Sequence, residues 1–246
     1  MCGCYRLSRR KQVVEEYFDC GSDEPDWNPR YNIAPTQPVP VIRQNPKEPV
    51  RELSLVRWGL IPSWAKDPSA APKMINARSE TAATKPAFRD ALKSCRCLIP
   101  ADGFYEWSRT GNAKQPYCFE VNDGQLFAFA GIWDRWRDAS GNTVETCSIL
   151  TTTPNAVTSP VHDRMPAILD PNSYDLMARS MDEECGCGAR SAETLRRSAD
   201  AVLPHKQSDQ QRGERRRSLL RARGTRPDSG SSLLIGCAVR PSEIGF

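Results

Sequence analysis

Histidine is nearly absent: only His162 and His205 occur in 246 residues, which excludes a metal centre built on several imidazoles. No stretch approaches the roughly 20 uninterrupted apolar residues that a membrane helix requires. The start, Met1-Cys2-Gly3-Cys4-Tyr5-Arg6, carries no apolar signal core. A membrane-spanning or exported protein is therefore not expected. Internal repeats and a glycine-rich phosphate loop are also missing. The 10 cysteines are spread along a chain with no export signal, which favours reduced thiols over a disulfide scaffold.

Aromatic residues divide the chain. Every Trp and Tyr lies at or before Tyr174, whereas residues 181–246 hold one aromatic, Phe246, and an arginine-rich run of Arg215, Arg216, Arg217, Arg221, Arg223 and Arg226. Residues 1–176 can bury a core, and residues 177–246 are expected to form an atypical, poorly ordered tail. Within the front part, Lys11–Phe18 reads as a short helix with Val13, Val14, Tyr17 and Phe18 on one face. Short β-like runs follow at 39–42, 53–58, 97–99, 103–107, 117–121, 126–133 and 143–151, broken by Pro and Gly. Residues 80–92 have helical spacing, and 172–177 can start another helix. The pattern predicts an α+β fold, mostly antiparallel β in barrel-like packed sheets, with a few short helices.

Position 2 carries unusual chemistry. Removal of Met1 before a small residue leaves Cys2 with a free amine and a thiol on adjacent carbons, and reference pKa values of about 8 and about 8.5 keep both nucleophiles available near neutrality. Such a 1,2-aminothiol condenses with an aldehyde through its amine and closes a five-membered thiazolidine through its sulfur. An internal cysteine cannot do this.

Further segments stand in order behind Cys2-Gly3: Arg30-Tyr31-Asn32-Ile33-Ala34-Pro35-Thr36-Gln37, Trp58-Gly59-Leu60-Ile61-Pro62-Ser63-Trp64-Ala65, Asn76-Ala77-Arg78-Ser79-Glu80-Thr81, Gly103-Phe104-Tyr105-Glu106-Trp107 and His162-Asp163-Arg164-Met165-Pro166. Together they resemble the SOS-response-associated peptidase (SRAP) family of abasic-site-processing proteins, over about residues 1–176. The resemblance implies a DNA-repair protein that links covalently to the ring-opened aldehyde of an abasic site in single-stranded DNA, with lyase and autoproteolytic activity attributed to the same site. It implies catalytic roles for Cys2, for Glu106 as proton shuttle and for His162 in engaging the opened sugar. It gives Asn76 and Arg78 the task of holding the sugar and the neighbouring phosphate, which alternation on an extended segment would place on one face. Asn32 corresponds to a pocket residue, Trp64 and less clearly Trp58 to a base-stacking aromatic, and Arg164 to a phosphate contact. No cofactor or metal is implied. The expected partner is abasic single-stranded DNA and the expected state a monomer in the cytoplasm, nucleoid-associated in a bacterium. A net charge of +4 suits short single-strand contact. One departure touches the site: the family carries Arg where this chain has Cys4, and only Arg6 stands nearby to replace it.

Beyond Leu176 the motif pattern stops. Met177-Ala178 must be encoded ATG-GCN, which read one base later forces Trp, and Leu203 to Arg215 can be read one base later as Tyr-Pro-Ile-Asn-Ser-Arg-Ile-Ser-Asn-Val-Val-Asn, a closing motif of the family kind. Residues from about 177 are therefore expected to be a frameshifted segment, in which Cys185, Cys187 and His205 carry no function. Two other readings compete: an N-terminal-nucleophile thiol peptidase or amidohydrolase using Cys2 with Glu106 or His162, and a zinc module using Cys2/Cys4 and Cys95/Cys97, whose Cys-x-Cys spacing is tighter than usual for zinc.

Overall fold

The computed structural model describes residues 2–45, 48, 50–110, 113–179 and 234–238. One sheet has the order β13-β9-β8-β1-β3 and consists of β1 (Tyr5–Leu7), β3 (Arg30–Ile33), β8 (Gly103–Thr110), β9 (Ala113–Val121) and β13 (Leu234–Ala238). The other runs β12-β11-β10-β7-β4-β5-β2, with β2 (Cys20–Gly21), β4 (Pro38–Gln44), β5 (Arg51–Trp58), β7 (Arg96–Ala101), β10 (Phe127–Arg137), β11 (Thr143–Thr152) and β12 (Met165–Pro166). The strand β6 (Asn76–Arg78) lies beside β11. A parallel pairing of β5 with β11, Thr146 opposite Arg57 and Cys147 opposite Trp58, joins the two ends of β11-β10-β7-β4-β5 and closes a five-strand barrel. Its other pairings are antiparallel. The α+β, mostly antiparallel architecture expected from the sequence is the one found.

Each apolar run of the sequence lies in a strand because it supplies the inward face. Leu53, Val56 and Trp58 of β5 are buried, and all six residues of β7 are. Closing so small a barrel needs a gap in the side-chain layer at Gly131, where a Cβ would stand 2.7 Å from Ile99 Cδ1 and 2.8 Å from Cys97 Sγ. Only glycine fits there without displacing the neighbours. Tyr5 locks the short β1 onto the barrel, with its ring edge-on to Trp58 at 5.4 Å and to Phe129 at 5.7 Å.

Two helical expectations need correction. In α1 (Lys11–Phe18) only Val14 and Phe18 are buried, while Val13 and Tyr17 point outward, so the apolar stripe is narrower than the sequence implies. The helix read over 80–92 is two pieces, α2 (Ser79–Ala82) and α3 (Arg89–Ser94). Pro86 removes a backbone donor and disfavours helical geometry at Lys85. The expected last helix is α4 (Tyr174–Ala178), which packs Tyr174, Met177 and Ala178 inward. Of residues 177–246, only 177–179 and 234–238 are described. Leu234–Ala238 forms an antiparallel backbone ladder with β9, and Cys185, Cys187 and His205 lie outside the described residues.

Candidate functional site

The amino terminus is held by a polar anchor. Arg6 Nε donates to Asp102 Oδ1 at 2.7 Å, and the backbone N–H and Oγ of Ser8 both reach Asp102 Oδ2 at 2.6 Å. The fully buried Asp102 carboxylate thus ties β1 to the turn before β8. The Tyr105 N–H then donates to the Cys4 carbonyl at 3.0 Å, which brings Glu106, next along β8, to the start of the chain. Cys2 is fully buried. Its carbonyl accepts from Asn76 Nδ2 at 2.7 Å, and its thiol lies 3.9 Å from the Cys4 carbonyl.

Glu106 is only 3% exposed, and burial raises its pKa to about 7, with the positive charge of the amino terminus opposing the shift. Burial also pushes the Cys2 thiol well up, followed by the negative charge of Glu106. His162 Nε2 stands 3.9 Å from Glu106 Oε2. The other ring nitrogen, Nδ1, accepts from the Arg164 backbone N–H at 3.0 Å and lies 2.9 Å from Asp163 Oδ1. These two contacts demand opposite protonation, since the N–H needs a lone pair at Nδ1 and the carboxylate needs a proton there. Asp163 is 85% exposed and solvated, which favours the backbone contact at Nδ1 and, in a neutral ring, a proton on Nε2, the nitrogen nearer Glu106.

The strand β6 carries Asn76 and Arg78 on one face with Ala77 buried between them, as alternation predicts. Its parallel register with β11 sets Asn76 opposite Ile149 and Arg78 opposite Thr151. Asn76 Oδ1 is buried and has no hydrogen-bond partner among the described residues. Asn32, on β3, receives the Cys4 thiol on its Oδ1. Trp64 is 61% exposed, on a loop fixed by the Ser63 N–H to Asp134 Oδ2 (2.7 Å) and by Trp136 Nε1 to the Ala65 carbonyl (2.7 Å).

Other residues are placed differently from their sequence reading. Trp58 is a core residue, fully buried, with Nε1 donating to the Ile75 carbonyl at 2.9 Å. It presents no face to a base. Arg6 does not stand in for the arginine missing at position 4, because Asp102 and Glu120, the latter at 2.8 Å, engage its guanidinium. Arg164 is gripped by both oxygens of Glu80, at 2.7 and 2.8 Å, which also lowers the Glu80 pKa. No grouping of three or more His, Cys, Asp or Glu fit to hold a metal exists among the described residues, so the zinc-module reading has no site there.

A family model for the SOS response associated peptidase (SRAP) matches residues 1–200. The chain belongs to the SRAP family. The match runs past Leu176, where the motif resemblance stops. Among SRAP relatives, the "Abasic site processing protein YoqW" of Bacillus subtilis is 44% identical over 172 residues, 69% of this chain and 76% of its own. The "Abasic site processing protein HMCES" of Xenopus tropicalis is 33% identical over 194 residues, 68% of this chain and 57% of its own. A crystal structure of a Bacteroides thetaiotaomicron protein superimposes with a TM-score of 0.69 at 29% identity, covering 79% of this chain and 86% of that one. A Bordetella bronchiseptica structure gives 0.69 at 25% identity, over 97% and 100%.

Beyond the residues read from the sequence, Glu80 and Thr151 lie against Arg164. Thr151 accepts from Arg164 Nη2 through its carbonyl at 2.6 Å. No sequence signal marks Thr151. Glu80 lies within the Asn76 to Thr81 segment but reads there as an ordinary first-turn acid of a helix.

Proposed function

We propose that this chain processes abasic sites in DNA as a repair protein, by linking the ring-opened aldehyde of the lesion to Cys2 as a thiazolidine. The observation that carries the reading is a buried cysteine at position 2 with Asn76 on its carbonyl, Glu106 acting on its thiol and His162 3.9 Å from Glu106, within a family whose relatives are named for abasic-site processing.

The chemistry balances as follows. After Met1 is removed, the α-amine of Cys2 adds to the aldehyde carbon and forms a carbinolamine. Loss of water gives an iminium, and Sγ then adds to the same carbon and releases its proton, so that aldehyde plus aminothiol become thiazolidine plus water. Glu106, with its pKa near 7, is present at neutral pH in both forms. Protonated, it helps the hydroxyl depart as water; ionised, it takes the thiol proton. The buried thiol is a poor thiolate, which speaks against direct attack on an amide and in favour of attack on an already formed iminium with Glu106 as base. Asn76 Oδ1 accepts from the freed amine or a sugar hydroxyl. The Nε2–H of His162 donates to the opened sugar, and the same iminium allows strand scission when a proton is removed from the sugar. Arg78 pairs with the phosphate beside the lesion, Asn32 lines the pocket and Trp64 stacks on the next base of a single strand. The protein works as a monomer in the cytoplasm.

Incubation of the purified protein with single-stranded DNA carrying one abasic site, followed by denaturing electrophoresis, tests this. A retarded band in the parent and none in Cys2→Ala is expected, and a persistent band in Cys2→Ala would place the nucleophile elsewhere.

A further inference from the structure

Arg164 reads in the sequence as a cation for DNA, yet its side chain is only 12% exposed and its donors are turned inward. Nη1 and Nη2 hold the two carboxylate oxygens of Glu80, and Nη2 also reaches the Thr151 carbonyl at 2.6 Å and Oγ1 at 3.3 Å. Such a two-pronged grip fixes both partners in one plane. Glu80 follows Arg78 by two residues and Asn76 by four, across the junction of β6 and α2. Thr151 faces Arg78 across the β6–β11 ladder. The backbone N–H of Arg164 donates to His162 Nδ1. One guanidinium therefore joins the segment of Asn76 and Arg78, the end of β11 and the loop of His162.

We propose that Glu80 and Arg164 form a positioning pair that holds His162 with its proton on Nε2, toward Glu106, and fixes that ring relative to Asn76 and Arg78. The inference rests on the reading that Cys2, Glu106 and His162 act on an abasic aldehyde. Its physical core is the competition at Nδ1. With Arg164 clamped, its N–H occupies Nδ1 at 3.0 Å. Once the clamp is released the loop relaxes, the ring proton leaves Nε2 for Nδ1, which then donates to Asp163, already 2.9 Å away, and Nε2 becomes an acceptor facing Glu106. The ring then loses its ability to donate to the opened sugar. Nε2 lies 3.9 Å from the Glu106 carboxylate, beyond direct hydrogen-bond range.

Two variants test this. Arg164→Lys keeps the charge without the fork, and Glu80→Gln removes the charge at nearly constant shape. Two measurements apply to each: the ¹⁵N shifts of the His162 imidazole, which has only His205 to be distinguished from it, and single-turnover adduct formation at saturating abasic single-stranded DNA. The parent should show a protonated Nε2 and a bare Nδ1. Both variants should show a mixture of tautomers and form adduct about 10-fold more slowly at saturation, with reversible affinity within about 2-fold, and the double variant should be no slower than the worse single one because the pair acts as a unit. Unchanged tautomer and saturating rate with weakened binding in Arg164→Lys would overturn the proposal and make Arg164 a phosphate ligand. If the parent forms no adduct, the functional reading fails while the ring spectrum still decides the proposal. Should Glu80→Gln fail to fold by thermal denaturation, Arg164→Lys carries both measurements.

Discussion

Burial lifts the Glu106 pKa to about 7, above that of a surface carboxylate and into the range where one group both gives and takes a proton. Glu106→Gln should slow adduct formation or its reversal by about 10²–10⁴-fold, the usual contribution of positioned proton transfer; single-turnover gels at both steps check this, and unchanged kinetics would return Glu106 to a structural role. The same shift has a stability signature. The folded pKa exceeds the unfolded value, so the folded state holds the proton more tightly, and stability is fullest below the ordinary carboxylate range and falls as pH rises toward 7. The slope contributed by this group is at most about 1.4 kcal/mol per pH unit. Urea unfolding of the parent and of Glu106→Gln at several pH values should show that decline weakened in the variant. At this scale Cys2, Glu106, His162 and Asn76 stand out as candidates in the sequence because each lies in a compact motif. It did not carry the fate of Arg6 and Arg164. Their partners stand 96 and 84 residues away in the chain, and only folding shows that those charges are already satisfied.

At the scale of elements, strands made of apolar runs were legible while short polar ones were not. β1 and β3 have too few apolar residues to signal a strand, and they are set by pairing with β8 and with each other. Pro86 was the readable reason for the break between α2 and α3, which the helical spacing of the surrounding residues obscured. The polar anchor on β1 also makes a prediction about DNA. Cys4 is buried against Tyr105 and Cys118, with Trp107 beside them, and Arg6 is engaged elsewhere, so neither reaches a phosphate. Cys4→Arg should tighten binding of single-stranded DNA and steepen the dependence of log affinity on log salt by about 0.7, one added phosphate contact. Arg78→Gln should flatten it by about the same amount. Fluorescence anisotropy across a salt series measures both, and a slope unmoved by Arg78→Gln would remove Arg78 from the backbone contacts. Gly131→Ala, which meets Ile99 and Cys97 side chains, should lower stability by about 1–3 kcal/mol without changing the slope.

For the whole molecule, β6 brings Asn76 to the Cys2 carbonyl and the pairing of β1 with β8 brings Glu106 to the start of the chain. Of the described candidates, Trp58 is enclosed in the core and Arg164 is held by Glu80. The codons of residues from about 177 onward can be shifted into a family-like closing motif, and we expect resequencing to reveal one missing or extra base near Leu176. An intact reading frame would instead make the arginine-rich segment a natural part of the chain. The central claim, that both atoms of the Cys2 aminothiol enter the bond to DNA, is tested most directly by blocking one of them. A thiol alone gives only a thiohemiacetal, which reverts in water and does not survive denaturing electrophoresis. Protein carrying residues before Cys2, verified by mass spectrometry, should therefore yield no gel-stable crosslink to abasic single-stranded DNA, and proteolytic removal of those residues up to Cys2 should restore it. A crosslink of undiminished yield from the blocked protein would contradict the thiazolidine mechanism.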